Sequence, residues 1–376
     1  MPARIRYFDI AKGIAILCVV LGHSILIANT AIPQSPLAQT LYHLCFTFHM
    51  PLFFIVSGYF MHPERPFRWR KESRELLATY GLTAAAIVIV NAALAFVLRT
   101  GTRASFAGWA AAAYYGAGDM TGNYLWPVPF RIGALWFLLG LFWAHLIVHF
   151  AAKTPYPSLV ILASFVIGYL SARIFWFPLS VQSGMTAAAF VYLGVLARRY
   201  DLLNVIRTRA WIWAVAALVW VIAIWQFAGF SMAMNQYGPS WWHVAISVCG
   251  AVAGTLCVLG ISMLIDRFAE PLARLFQRFG KVSLAILCVH LLEDDTTPWG
   301  SLLPHPRPSS RRRRGIHVDH HLRGPARRRH PAGMGIVPHS ACQCAVLPLS
   351  GEACGQERAG ATRHRITPTA WRRSRR

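Results

Sequence analysis

Asp9, Lys12 and His23 fall within one apolar run near the start of the chain, and a second such run carries His49. Ionisable groups are costly to hold among apolar neighbours, so each of these is a functional candidate by default. At about 100° per residue on a helix, Lys12 and His23 come within about 20° of each other after three turns. Asp9 lies about 60° from Lys12 and about 40° from His23 on the same wheel, so all three share one stripe. Along the axis Lys12 sits about 16 Å from His23, at about 1.5 Å per residue. A cation at one end and an imidazole deeper in suit a long, anionic, thioester-bearing ligand. The plainer reading has Lys12 reaching the interface, paired with Asp9, while His23 bridges two helices.

The second run reads Phe46-Thr47-Phe48-His49-Met50-Pro51 and continues to Ser57-Gly58-Tyr59. It returns across the bundle, so His49 and His23 both stand a few residues from the same end. Two histidines at similar depth on adjacent helices can share a site. Pro51 removes a backbone donor and is expected to kink the helix, freeing a carbonyl in a polar cavity. The loop that follows holds Arg68, Arg70, Lys71 and Arg74. These cations read either as an ordinary membrane anchor or as a clamp for the phosphates of coenzyme A, for which Arg offers forked donors.

The elements that must position these groups are membrane helices. Of the 376 residues, 56% are hydrophobic and 14% charged, against about 25% charged in a soluble chain. The apolar residues fall in runs of about 20, enough to span a hydrocarbon core of about 30 Å. That excludes a soluble enzyme, a disulfide-stapled secreted module and a disordered chain. The expected class is an all-α, polytopic transmembrane helix bundle. Nine candidate spans are visible, at residues 10–28, 42–61, 77–98, 134–150, 159–177, 184–197, 211–230, 243–265 and 282–292. The last loses its pattern at Glu293, Asp294 and Asp295, which read as the start of an outer loop or of scrambled sequence. The first run continues into a multi-span protein, so no cleavable signal peptide is expected.

Orientation follows from Lys and Arg. With the N-terminus in the cytoplasm, 16 cations lie inside, while Arg99, Arg103, Arg131 and Arg173 lie on or near the outer side. Arg173 is close enough to the end of its span to snorkel. The longest outer connection, about 99–131, carries Trp109, Tyr114, Tyr115, Tyr124 and Trp126. It reads as an interfacial aromatic belt or as a lid whose flat faces meet sugar rings.

The formal charge of +23 divides unevenly: +10 over residues 1–300 and +13 over 301–376. That distribution argues against nucleic acid as a partner. The chain accordingly divides into a membrane domain, 1–299, and an Arg- and Pro-rich tail, 300–376, which lacks Phe, Tyr, Asn and Lys. Such a tail is expected to be disordered, because it has too little apolar surface to bury. Its composition fits out-of-frame translation of GC-rich coding DNA better than a natural basic tail. Cys18, Cys45, Cys249, Cys257 and Cys288 lie singly in apolar runs and read as small hydrophobes. Cys342, Cys344 and Cys354 lack a fourth ligand for zinc, and His145 and His149 at (i, i+4) lack a third, so no metal is expected.

Taken together, Phe8-Asp9-Ile10-Ala11-Lys12-Gly13 with His23, Phe48-His49-Met50-Pro51 through Ser57-Gly58-Tyr59, and Leu135-Trp136-Phe137-Leu138 resemble the integral-membrane acyltransferase-3 family. The fit is closest to its fucose 4-O-acetylase-like branch. Gly280-Lys281-Val282-Ser283 through His290 is similar to the family's late Ser…His segment, and the resemblance covers about residues 4–299. It implies about ten transmembrane helices and transfer of an acyl group, commonly acetyl, from cytoplasmic acyl-CoA to a carbohydrate at or beyond the outer face. The cell inner membrane is the implied location, with acyl-CoA, the acceptor and the bilayer as partners and no bound cofactor.

By the same resemblance His23 falls at the catalytic histidine and Lys12 at its basic partner. Lys71 and Arg74 fall on the basic pair that follows the second span, with Lys71 standing where Arg is more usual. His23 is then expected to act as general base on the acceptor hydroxyl, since an imidazole's ordinary pKa is about 6.5. Asp9 would line the entry path, His49 would position the acceptor or orient His23, and Lys12, Lys71 and Arg74 would bind the donor phosphates. The family's last helix is missing where the tail begins. Two other classes therefore stand beside the enzyme: a multi-span transporter or exporter, and a family member made inactive by that loss. The absence of an internal repeat counts mildly against transport.

Overall fold

Each of the nine apolar segments folds as a helix, because only a helix satisfies its own backbone groups where water is absent. The computed structural model describes residues 5–29 and 35–302, all within one compact unit. The elements are α1 (Arg6–Ala28), α2 (Pro36–Phe60), α3 (Trp69–Val97), α4 (Thr102–Tyr115), α5 (Gly133–Ala151), α6 (Pro157–Ser171), α7 (Pro178–Arg199), α8 (Leu202–Arg207), α9 (Ala210–Trp225), α10 (Trp241–Phe268), α11 (Glu270–Lys281), α12 (Ser283–Thr296) and α13 (Trp299–Leu302). The expectations for the tail, its disorder and its origin in a shifted frame lie outside the described residues.

The count of nine spans is corrected. Six helices, α1, α2, α3, α5, α7 and α10, are long and apolar enough to cross a membrane, and the pair α11–α12, bent by 66°, raises this to seven. Helices α6 and α9 have 15 and 16 residues, or about 23 Å, which falls short of the hydrocarbon thickness of about 30 Å. Hydropathy overstated both, because the apolar residues at 172–177 and 226–230 lie past the helix ends in turns and irregular chain. Conversely, the short sixth segment gains a start at Pro178, and α2 continues as one helix through Pro51.

Close helix crossings at glycine fix the rotation of the helices that carry the candidate residues. A Cβ on Gly58 of α2 would stand 1.9 Å from the Val191 carbonyl oxygen of α7, and one on Gly194 of α7 would stand 2.0 Å from that of Ile55. Between α1 and α11, a Cβ on Gly13 would stand 2.0 Å from the Phe276 carbonyl oxygen. Small residues let membrane helices approach to backbone contact, where van der Waals packing replaces the missing hydrophobic drive. Arg6 adds ion pairs to Glu270 at 2.7 Å and Asp266 at 3.4 Å, tying the start of α1 to α10 and α11.

The interior is apolar, with Ile16, Phe54, Trp136, Leu138 and Phe190 in one buried cluster. The outward faces are apolar too: Leu159, Leu162 and Leu170 of α6 and Trp211, Leu218 and Trp225 of α9 are exposed. Large side chains exposed over whole helix faces need lipid rather than water around them. The chain is a multi-pass membrane protein.

Candidate active site

His23 is buried in α1 with its side chain 11% exposed, and its Nδ1 lies 3.4 Å from Oδ2 of Asp294, itself 4% exposed. The reading of Glu293, Asp294 and Asp295 as a loop start or scrambled sequence is therefore corrected. α12 runs on to Thr296 and carries Asp294 into the bundle, while Glu293 stays exposed. The placement has a local cause. Asn91 of α3 donates its side-chain amide to the Asp295 carbonyl at 3.2 Å, holding the end of α12 against α3. Gly133, at φ +54°, lets the chain turn into α5 beside the same end, where a Cβ would meet Arg131 Nη1 at 3.4 Å and Asp295 Oδ2 at 3.5 Å.

A second imidazole completes the group. The His290 ring stands edge-on to that of His23, with centroids 5.5 Å apart, and its Nδ1 lies 3.4 Å from Oε2 of Glu293. His290 Nε2 is buried without a hydrogen-bond partner among the described residues. Two histidines and two carboxylates thus meet where α1 and α12 pack together. His23 with its Nδ1 on a carboxylate keeps Nε2 available to take a proton, the arrangement a general base requires.

His49 lies nearby without touching His23 directly. Phe46 stands between them, its ring 6.0 Å from His23 in a stacked arrangement and 5.0 Å from His49 edge-on. His49 Nδ1 donates to the Cys45 carbonyl at 2.5 Å, which fixes the ring's tautomer and leaves Nε2 as an acceptor. Asp9 and Lys12 pair as the stripe expects, with Lys12 Nζ 2.9 Å from Asp9 Oδ1. Asp9 is buried and Lys12 half-buried, so the ammonium is already balanced by one carboxylate.

Lys71 and Arg74 lie at the other end of the bundle. With Arg68, Arg70 and Glu75 they line an open cleft of about 540 Å3. Lys71 is held loosely by Glu75 at 3.6 Å, and both side chains are well exposed. The helix takes a π-helical turn over Ser73–Leu77, which includes Arg74 and Glu75 of this cleft, a distortion frequent at functional sites. The six candidates therefore fall into three places: His23 and His49 flank Phe46, Asp9 and Lys12 pair with each other earlier on α1, and Lys71 and Arg74 line the basic cleft.

The connection over residues 99–131 is partly helical, and its aromatics divide in two. Trp109 stacks on Phe130 at 4.8 Å and Tyr115 is fully buried. Burial pushes the Tyr124 phenol above its ordinary range, keeping it a neutral donor to the Asp119 carbonyl. Tyr114 and Trp126 stay exposed, beside a concavity of about 440 Å3 lined by residues 121–122 and 124–129. Arg173 is spent on Tyr169, its guanidinium 4.1 Å from the ring centroid.

His145 and His149 have different partners. His145 bonds Glu72 and Ser57, and His149 packs against Phe67 at 5.3 Å. Among the described residues no three His, Cys, Asp or Glu side chains converge as a metal site. Sequence reasoning missed Asp294 and His290 as partners of His23. The available signal was an acidic pair three and four residues after a histidine at the end of an apolar run, where ionisable groups are rarely idle.

A family model described as an acyltransferase domain matches residues 5–302, most of the chain. No curated protein and no solved structure matches it.

Proposed function

This chain belongs to the acyltransferase-3 family, and on that premise we propose that it is a membrane O-acyltransferase of the fucose 4-O-acetylase-like kind. It moves an acyl group, acetyl in the simplest case, from cytoplasmic acyl-CoA to a hydroxyl of a cell-surface or exported carbohydrate. The membrane is the cell inner membrane, and the N-terminus is cytoplasmic. The observation that carries the reading is the His23–Asp294 contact at 3.4 Å inside the bundle.

In this reading Asp294 holds His23 with Nδ1 protonated, so Nε2 accepts the proton of the acceptor hydroxyl. The oxygen attacks the thioester carbonyl, the carbon–sulfur bond breaks, and the thiol leaves with the proton that His23 took. Asp294 also balances the imidazolium that forms, as a carboxylate does for any base histidine. His290 and His49 flank the acceptor, and the exposed faces of Tyr114 and Trp126 meet its sugar rings. Lys71, Arg74 and Lys12 bind the donor phosphates, the first two from the open basic cleft. Lys71 offers a point charge where Arg would offer a fork, which keeps attraction but loses two-point geometry.

The test is labelled acetyl-CoA given to membranes that carry the chain, followed by analysis of surface glycans. Label in a carbohydrate, released by mild base as an ester, supports the reading. Solute flux without any donor requirement, and no labelled glycan, would make the chain a transporter instead.

A further inference from the structure

Ser57, His145 and Glu72 form a second polar constellation, away from His23 and used by nothing above. Ser57 Oγ lies 2.7 Å from His145 Nε2, and His145 Nδ1 lies 2.9 Å from Glu72 Oε2. They come from α2, α5 and α3, at the end of the bundle that holds the basic cleft. We propose that these residues are a nucleophile relay in which Ser57 accepts an acyl group from a thioester donor, making a second catalytic centre. Only the donor's identity as acyl-CoA rests on the function proposed above.

Three observations carry it. The first is the order of the bonds. A carboxylate on Nδ1 requires the proton there, which leaves Nε2 as the acceptor facing the Ser57 hydroxyl; nucleophile, base and orienting carboxylate are then in hydrogen-bond sequence. The second is the rotamer of Ser57. Hydroxyls inside apolar helices usually close on their own backbone, and here Ser24, Thr40, Thr255 and Ser262 each bond the carbonyl four residues earlier. Ser57 turns away to His145 instead.

The third observation is position. His145 is buried, whereas Ser57 and Glu72 are partly exposed, so the base is shielded while the residues on either side of it are less enclosed. Glu72 lies directly between Lys71 and Ser73, so the helix that presents the carboxylate also presents the cations of the cleft. Gly58, pressed against the Val191 backbone, sets the rotation of α2 next to Ser57. The cations that would hold a phosphate-bearing thioester therefore lie at the same end of the bundle as the hydroxyl.

The step balances without another reactant. Ser57 Oγ bonds to the thioester carbonyl carbon as its proton passes to His145 Nε2. The carbon–sulfur bond breaks, the sulfur takes that proton from His145, and a free thiol departs. Ser57 is left as an ester, and an alcohol that attacks this ester restores the hydroxyl.

Membranes holding the full chain are treated with a fluorophosphonate probe, which reports relay-activated serines whatever their acyl donor, and the modified peptide is mapped. The relay predicts modification at Ser57, its loss in Ser57→Ala, and labelling slowed about 100-fold in His145→Gln, the low end of a general base's contribution. His149→Gln, one turn along the same helix, is expected to label like wild type. No modification at Ser57 in the wild-type chain, or equal labelling in His145→Gln, overturns the proposal with no dependence on how a variant folds. A parallel arm uses labelled acetyl-CoA and rapid quenching. Acetyl on Ser57, or a hydroxylamine-labile thioester in Ser57→Cys, supports both the relay and the donor. Probe labelling of Ser57 with acetyl label neither on Ser57 nor in any glycan upholds the relay and refutes acetyl-CoA as its donor. Acetyl-CoA-dependent glycan labelling with Ser57 never acylated overturns the relay.

Discussion

His23 Nδ1 and Asp294 Oδ2 stand 3.4 Å apart although 271 residues separate them in the chain. The contact joins the first span to α12, near the end of the described residues, and both side chains are nearly withdrawn from solvent. A histidine held this way has a fixed ring orientation and one free nitrogen, which is what the proposed proton transfer uses.

Replacing Asp294 with Asn keeps the shape but lets the amide offer an N–H to the ring, so the His23 tautomer is no longer fixed. Acyl transfer is expected to fall about 100-fold in kcat, within the range for general-base catalysis, with the donor KM little changed. Steady-state kinetics on membranes matched for protein level checks this. A donor KM that rises while kcat holds would place Asp294 in binding rather than in proton transfer.

The basic cleft predicts a binding effect. Changing Lys71 and Arg74 together to Ala is expected to raise the acyl-CoA KM about tenfold, the low end for charge-assisted hydrogen bonds at an exposed site. The difference from wild type shrinks as salt is raised, because exposed charges are screened within about 10 Å at 0.1 M. An unchanged KM at low salt removes the clamp.

Acceptor recognition is assigned to exposed aromatics. Trp126→Ala is expected to raise the acceptor KM several-fold, in line with about 0.5–1.5 kcal/mol for an aromatic face contact, and to leave the donor KM alone. Trp109→Ala serves as contrast: that ring is committed to Phe130 at 4.8 Å, so its loss lowers stability without selective change in acceptor KM.

Helix spacing gives a stability prediction. A Cβ on Gly58 stands 1.9 Å from the Val191 carbonyl oxygen, while at Gly81 nothing lies within 4 Å. Gly58→Val is expected to cost about 1–3 kcal/mol, as overpacking does, and to lower Tm in detergent. Gly81→Val leaves Tm close to wild type. Equal melting of the two variants would contradict the close crossing of α2 and α7.

Much of this was legible in the chain, for local reasons. The Asp9–Lys12 ion pair follows from three-residue spacing on a helix, and the nine apolar segments each mark a helix because the bilayer selects for unbroken apolar length. The lengths of α6 and α9 were less legible, since hydropathy does not register where an apolar chain turns. The His23–Asp294 contact and the Ser57–His145–Glu72 relay were hidden for a different reason. Each joins separate helices, and the pairing is set by bundle packing that no sequence period encodes. Ser57 in particular looks like one small residue among apolar neighbours, and only the direction of its hydroxyl distinguishes it.

The most direct measurement of the central claim is acyl transfer by His23→Ala. Membranes with the variant and wild type at equal level are given labelled acyl-CoA, and label in the carbohydrate is followed with time. Transfer reduced by about 100-fold or more, the contribution expected of a general base, is the predicted result; transfer at the wild-type rate contradicts the account.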